Sequence, residues 1–292
     1  MMKQADRAPG AEGHALSPFT RLEGDEGCGL LLVCDHASNA LPAEYGTLGL
    51  ARAQLERHIG YDIGAAGVVK EISRLLNAPA VFTNFSRLLI DANRGEDDPT
   101  LIMRVSDGTV VPGNAQHDER ERQRRVNRYY APYHAAIDAA IDQAIAAGHP
   151  PAILSIHTFT EQWRGTPRPW HAGVLWDRDP RLPVPMLEAL RAEPDLVAGE
   201  NVPYTGELKG DCLYRHGTLR GLAHALIEIR HDLVREPSGQ LEWAGRLARI
   251  VGALLEEQAV RASLNAVRHY GSNTAAVSEP GSEYVQQGQV PH

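Results

Sequence analysis

The sequence predicts a single α/β domain, a mixed central sheet with helices on both faces. Short, wholly apolar runs such as LLLVC (30–34) and AILSI (152–156) are bounded by turn residues, the pattern of strands buried on both faces. Between them lie longer segments whose apolar residues recur every three or four positions, as on one face of a helix. The apolar runs also stop abruptly on polar clusters. In α/β sheets ligands bind just beyond the carboxyl ends of the strands, so those clusters are the candidate functional residues.

Taken in order, residues 1–27 are rich in Gly, Ala and charge and read as a loose lead-in. Strand 30–34 stops at Asp35-His36, and Asn39-Ala40-Leu41-Pro42 turns the chain into a loop. Residues 51–59 have helical propensity, and 63–76 place Ala66, Val69, Ile72 and Leu76 on one helical face. Gly60 separates the two segments, and Asp62 falls at the start of the second, where a carboxylate suits a helix N-terminus. Residues 80–83 and 87–90 are strand-like, the latter running into Asp91-Ala92-Asn93-Arg94. After a loop over 95–117, a long helix runs from Asp118 to Gly148, with Pro132 kinking or splitting it. Strand 152–156 leads straight into His157, a loop covers 160–171, and strand 172–176 follows. A helix over 185–193 and a Gly-containing loop precede the last strand, 224–230, and the final helix spans 241–259. Residues 263–292 are polar and turn-rich and read as a disordered tail, leaving 28–262 as the domain.

Bulk properties exclude several classes of function. A net charge of −8 offers no basic field for nucleic acid or an anionic membrane. No apolar run reaches the roughly 18 residues of a membrane span, and the first residues lack the apolar core of a signal peptide. Three cysteines without CxxC spacing argue against a disulfide framework or a thiolate zinc site. The expectation is a cytoplasmic protein, a monomer or small homo-oligomer, that acts on a small molecule.

The residues at the strand ends then define a chemistry. His36 and His157 end two separate apolar strands, and Glu228 stands inside a third, ALIEIR, where an unpaired carboxylate would cost several kcal/mol to bury. Two neutral imidazoles and a carboxylate suit Zn²⁺ with one position open for water, and Glu228 would serve as general base. Arg87 and Arg94 offer planar guanidinium forks for a substrate carboxylate, although Arg87 could instead neutralise Asp91. A cysteine-hydrolase reading, with Cys34 attacking and His36 as base, fits less well because four apolar residues precede Cys34.

Seven segments in order resemble the N-formylglutamate amidohydrolase family: LLVCDHASNALP (31–42), HIGYDIGA (58–65), SRLLIDANR (86–94), SDGTVVPGN (106–114), SIHTF (155–159), RPWHAGVLWDRD (168–179) and IEIRHDL (227–233). The resemblance implies a phosphorylase/hydrolase-like α/β fold related to the zinc carboxypeptidases, and one Zn²⁺ per chain. It implies His36 and His157 as metal ligands and Glu228 as the base. The related enzymes carry a Glu ligand three residues after the first His. Here Asn39 stands there, so Asp62 is the expected third ligand and Asn39 a substrate-binding residue, with ligation by Asn39 as the alternative. IDANR resembles a DxNR motif, which implies that Asn93 and Arg94 bind the substrate carboxylate or polarise its carbonyl.

The expected reaction is hydrolysis of an N-formyl or other N-acyl amino acid, N-formylglutamate to glutamate and formate first among them. A carboxypeptidase-like peptidase, a deacylase with another substrate and an inactive ligand-binding protein are the alternatives. The peptidase reading needs the loops over 160–171 and 205–221 to leave room for a peptide.

Overall fold

The computed structural model describes residues 16–274. Seven strands form its main sheet: β1 (Phe19–Leu22), β2 (Leu30–Cys34), β3 (Ala80–Thr83), β4 (Ala152–Phe159), β5 (Ala172–Leu175), β6 (Ala198–Glu200) and β7 (His224–Arg230). Their order across the sheet is β1-β3-β2-β4-β7-β5-β6. The four central strands, β3, β2, β4 and β7, run parallel. β1 is antiparallel to β3, β5 is antiparallel to β7, and β6 is parallel to β5, which makes the sheet mixed.

Every residue of β2, β3 and β4 is buried, which explains their unbroken apolar runs: each side of the strand meets a packed layer. The helices that supply those layers are α1 (Arg52–Leu55), α2 (Ala65–Leu76), α3 (Glu119–Arg125), α4 (Ala131–Ala146), α5 (Pro183–Arg191), α6 (Pro237–Glu256) and α7 (Gln258–Leu264). On one face Leu32, Leu154 and Ile227 pack with Val69 and Ile72 of α2, Met186 of α5 and Leu247 of α6. On the other, Leu31, Val33 and Ile153 pack with Tyr133, Ile137 and Ile141 of α4. Residues alternate across these strands, so a polar side chain at a strand end is assigned to one face by parity.

Local elements differ from expectation where non-local contacts override pattern. Residues 87–90 are a turn rather than a strand. The Leu89 N–H donates to the Ser86 carbonyl at 2.9 Å, while Asn114 Nδ2 reaches the Leu88 carbonyl at 2.8 Å and Arg125 Nη1 the Leu89 carbonyl at 2.9 Å. Those bonds satisfy a buried turn whose apolar side chains belong to the core. The lead-in contains β1, an edge strand paired with β3, so the sheet begins before residue 28. The long helix is α3, a π turn at Val126–Tyr130 and α4; the π turn carries the chain past Pro132 without a break. The loops over 95–117 and 160–171 each hold a small hairpin, Val105–Ser106 with Thr109–Val110 and Gln162–Trp163 with Thr166–Pro167. Helix α7 extends to Leu264 and ordered chain continues to 274, with Ser272 buried; the rest of the expected tail, 275–292, lies outside the described residues. No helix among the described residues is long and apolar enough to cross a membrane.

Arg125 is 2 % exposed, and besides Leu89 it bonds Asn114 Oδ1 at 2.6 Å and Glu121 at 2.8 Å. Arg125→Met leaves the Leu89 carbonyl and Asn114 Oδ1 without this donor in a buried setting, so it is expected to cost about 3 kcal/mol. A thermal-unfolding curve that shifts by no more than an ordinary surface substitution would contradict this account of the 87–90 turn.

Candidate metal centre

β2 and β4 are parallel neighbours, and their carboxyl ends bring His36, just past β2, together with His157 of β4. The two rings meet edge to face with centroids 4.8 Å apart. Asp62 reaches them from the loop before α2: His157 Nδ1 lies 2.8 Å and His36 Nδ1 3.4 Å from its Oδ2. Asp62 was expected at a helix N-cap, but Gly64 takes that position, and the carboxylate is instead drawn into the site by the imidazoles and by the Thr158 N–H at 3.2 Å. Gly64 is required there. Its φ is +85°, and a Cβ would stand 2.2 Å from the Val234 carbonyl oxygen.

The opposite nitrogen of each ring meets a buried carboxylate. His36 Nε2 is 2.7 Å from Asp91 Oδ1, and His157 Nε2 is 3.1 Å from Asp35 Oδ2. Asp91 is also held by Arg87 Nη2 at 2.9 Å and the Asn93 N–H at 2.9 Å. Asp35 accepts from the Tyr133 hydroxyl at 2.8 Å and from Ser155 at 3.1 Å. This arrangement fits a divalent metal: two Nδ1 atoms and one carboxylate oxygen converge, and each ring is oriented by a carboxylate on its far nitrogen. His36 Nδ1 is buried and has no hydrogen-bond partner, as a ligand atom without its metal would be.

Glu228 stands beside His157 in register on the adjacent parallel strand β7. Its Oε2 is buried and unpartnered, and burial pushes its pKa up to about 7 against the lowering influence of His157. Both residues line a cavity of ≈ 460 Å³, together with His36, Asp62, Arg87, Asn93 and Arg94. Asn93 Oδ1 accepts the Cys212 N–H at 3.0 Å, which leaves its amide NH₂ for a ligand. Arg94 lines the cavity without a carboxylate partner among the described residues, whereas Arg87 is engaged by Asp91 and, at 3.5 Å, by Asp62.

Asn39 is placed differently from expectation. It is outside the cavity wall, and its Nδ2 donates to the Leu55 carbonyl at 3.2 Å, tying the loop after β2 to the end of α1. His58 lines the cavity and lies 3.4 Å from Asp107. Cys34 is fully buried in β2, where burial raises its thiol well above the usual range; it does not reach the cavity.

Residues 28–235 match the profile of the N-formylglutamate amidohydrolase family. The chain belongs to the N-formylglutamate amidohydrolase family. The gene product Atu2144 from Agrobacterium tumefaciens is 33 % identical to this chain, with a TM-score of 0.77 over 88 % of this chain and 98 % of its own. The N-formylglutamate amidohydrolase from Ralstonia eutropha JMP134 is 24 % identical, with a TM-score of 0.62 over 85 % of this chain and 99 % of its own. No curated protein matches the sequence.

A second group of side chains with metal-ligand chemistry lies together among the described residues of this family member: His134, Cys212 and His216. None of them lines the cavity, and His134 Nδ1 and His216 Nε2 lie 2.9 Å apart in a direct hydrogen bond. The group at His36 opens on the cavity, as a catalytic metal must. Sequence reading passed over the orienting partners Tyr133 and Ser155, which lie inside a helix and a strand like ordinary core residues. It also passed over Asp211, which lines the cavity and is buried, so that its pKa rises to about 7.

The Asp211 shift carries a testable sign. An unfolded Asp ionises near 3.8, so the folded state binds the extra proton between that value and about 7. Stability from this group is complete below the lower value and is lost as pH rises through the upper one. Asp211→Asn keeps an acceptor for the Tyr214 N–H and removes the buried charge. Its melting temperature is expected to gain on the unsubstituted protein between pH 5 and pH 8; a pH-independent difference would refute the burial argument.

Proposed function

We propose that this protein is a zinc-dependent hydrolase of N-acyl amino acids. His36 Nδ1, His157 Nδ1 and Asp62 Oδ2 would hold the metal, and Glu228 would be the base. One observation carries the reading: His36 Nδ1 and Glu228 Oε2, buried atoms without hydrogen-bond partners, belong to residues that line the same cavity as Asp62 and His157.

Zn²⁺ bound by these residues supplies Lewis-acid polarisation and a water that ionises near neutral pH. Glu228, with a pKa of about 7, is matched to take a proton from water and to return it to the departing nitrogen. In that hydrolysis the water oxygen bonds to the acyl carbon, the C–N bond breaks, and the products are a carboxylate and an amine. Arg94 binds the α-carboxylate of the substrate, and the Asn93 amide donates to its acyl oxygen, which together place the scissile bond beside Glu228. Arg87 does not need to touch substrate. It neutralises Asp91 and Asp62 and so keeps His36 and the third ligand in place. The peptidase alternative has no observation in its favour, because the loops it needs withdrawn contribute Trp163, Asp211 and Leu213 to the cavity wall.

Metal analysis and a formate-release assay on N-formyl amino acids test this. The unsubstituted protein should carry about one Zn²⁺ per chain. His36→Ala, His157→Ala and Asp62→Asn should lose it, and Asn39→Ala should keep it. Glu228→Gln should retain zinc while kcat falls about 10²–10⁴-fold. Unchanged activity in both His variants would end the proposal, and metal loss in Asn39→Ala alone would move the third ligand.

A further inference from the structure

The shape of the cavity points to a substrate other than a small dicarboxylate. Three alternate residues of β7, Glu228, Leu226 and His224, line it, so they share one face of the strand. At about 3.3 Å per residue, His224 lies about 13 Å below the base. The cavity is therefore a channel that runs down the sheet, away from the metal centre. Leu226 is opposite Leu175 of β5, and Leu213 and Trp176 add to the same apolar wall. At the far end, His224 is already satisfied: its Nε2 meets the Thr218 hydroxyl at 3.2 Å and its Nδ1 the Leu222 carbonyl at 2.8 Å. The total volume of ≈ 460 Å³ falls in the range of pockets for drug-sized ligands, well beyond what N-formylglutamate would fill.

Charge argues the same way. The wall contains two guanidinium groups, Arg87 and Arg94, and Arg87 is committed to Asp91 and Asp62. Among the described residues of the wall, Arg94 is the guanidinium left for substrate, enough for one carboxylate. The acids of the wall, Asp62, Asp177, Asp211 and Glu228, give a second carboxylate no favourable partner. Arg168, another guanidinium without a carboxylate partner among the described residues, is not part of the wall. It packs 5.2 Å from the Tyr204 ring centroid and 5.7 Å from that of Phe159, and its Nη1 is bonded to Thr160 Oγ1 at 3.0 Å.

We infer that the site hydrolyses N-acyl derivatives of monocarboxylate amino acids in which a large apolar group flanks the scissile amide and lies in the channel along Leu226 and His224. The inference rests on the amidohydrolase reading above and narrows its substrate. The apolar group can belong to the amino acid or to the acyl moiety; the chemistry of recognition is the same, and hydrolysis breaks the same C–N bond.

Two measurements on the zinc-loaded protein separate this inference from its parent reading. The first is a tryptophan-fluorescence titration of Glu228→Gln with N-formylphenylalanine, N-octanoylglycine, N-formylglutamate and N-formylglycine, since Trp163 and Trp176 line the cavity. The second is kcat/KM of the unsubstituted enzyme for those four compounds. N-formylphenylalanine or N-octanoylglycine should exceed N-formylglutamate by about tenfold or more in both; whichever is better shows from which side the group enters. Leu226→Phe and, separately, Leu213→Phe narrow the channel. Each should lower the ratio of kcat/KM for the preferred large substrate to that for N-formylglycine by about tenfold, a ratio that cancels any loss of folded enzyme. Preference for N-formylglutamate, or a ratio unchanged in both variants, overturns the inference. If no compound is hydrolysed the parent reading fails, and the titration alone then decides whether the channel selects apolar over acidic groups.

Discussion

Two buried carboxylates, Asp91 and Asp35, decide which nitrogen each imidazole presents. A ring whose Nε2 is bonded to a carboxylate has only Nδ1 left to offer, and both rings are held in that way. Burying two such acids is expensive unless each is paired. Asp91 is matched by Arg87 and Asn93 from its own segment, and Asp35 by Tyr133 from α4 and Ser155 from β4. These bonds join the end of β2, the 87–94 turn, α4 and β4 into one brace. A change in any of those elements is transmitted to the rings.

The sheet supplies the rest of the geometry. Because β4 and β7 are parallel and in register at His157 and Glu228, backbone hydrogen bonding fixes the proposed base beside a proposed metal ligand. The period of two along β7 then puts Leu226 and His224 beneath Glu228 on the same face. On the proposed reading, one strand provides both the reacting group and the wall along which a substrate would extend. Gly64 has the matching role on the other side, where contact with Val234 sets the path of the chain that carries Asp62.

How much of this was legible in the sequence depends on whether the signal was local. β2 and β4 ran visibly into His36 and His157, and Glu228 was conspicuous as a charge inside an apolar run. The mixed sheet was legible for the same reason. β1 and β6 were not, since FTRL and AGE are short edge strands with one neighbour each and need no apolar run. Residues 87–90 looked like a strand because their burial is real, but the bonds that satisfy that turn come from Asn114 and Arg125, far along the chain. Asn39 had the spacing of a ligand; that its amide finds the Leu55 carbonyl is a property of the folded loop. Trp163, Trp176 and Tyr204 line the cavity, yet in a sequence an aromatic residue in a loop or at a strand end looks the same whether it packs or lines a pocket.

The central claim is that His36 Nδ1, His157 Nδ1 and Asp62 Oδ2 form one metal site while the Nε2 atoms face Asp91 and Asp35. Anomalous diffraction from a zinc-loaded crystal, collected at the zinc absorption edge, tests it most directly. The account predicts a single strong peak within bonding distance of those three atoms, about 2.0–2.2 Å, with Glu228 near it and unligated. A peak at Asn39, or one bound through Cys212 with His134 and His216, would contradict it.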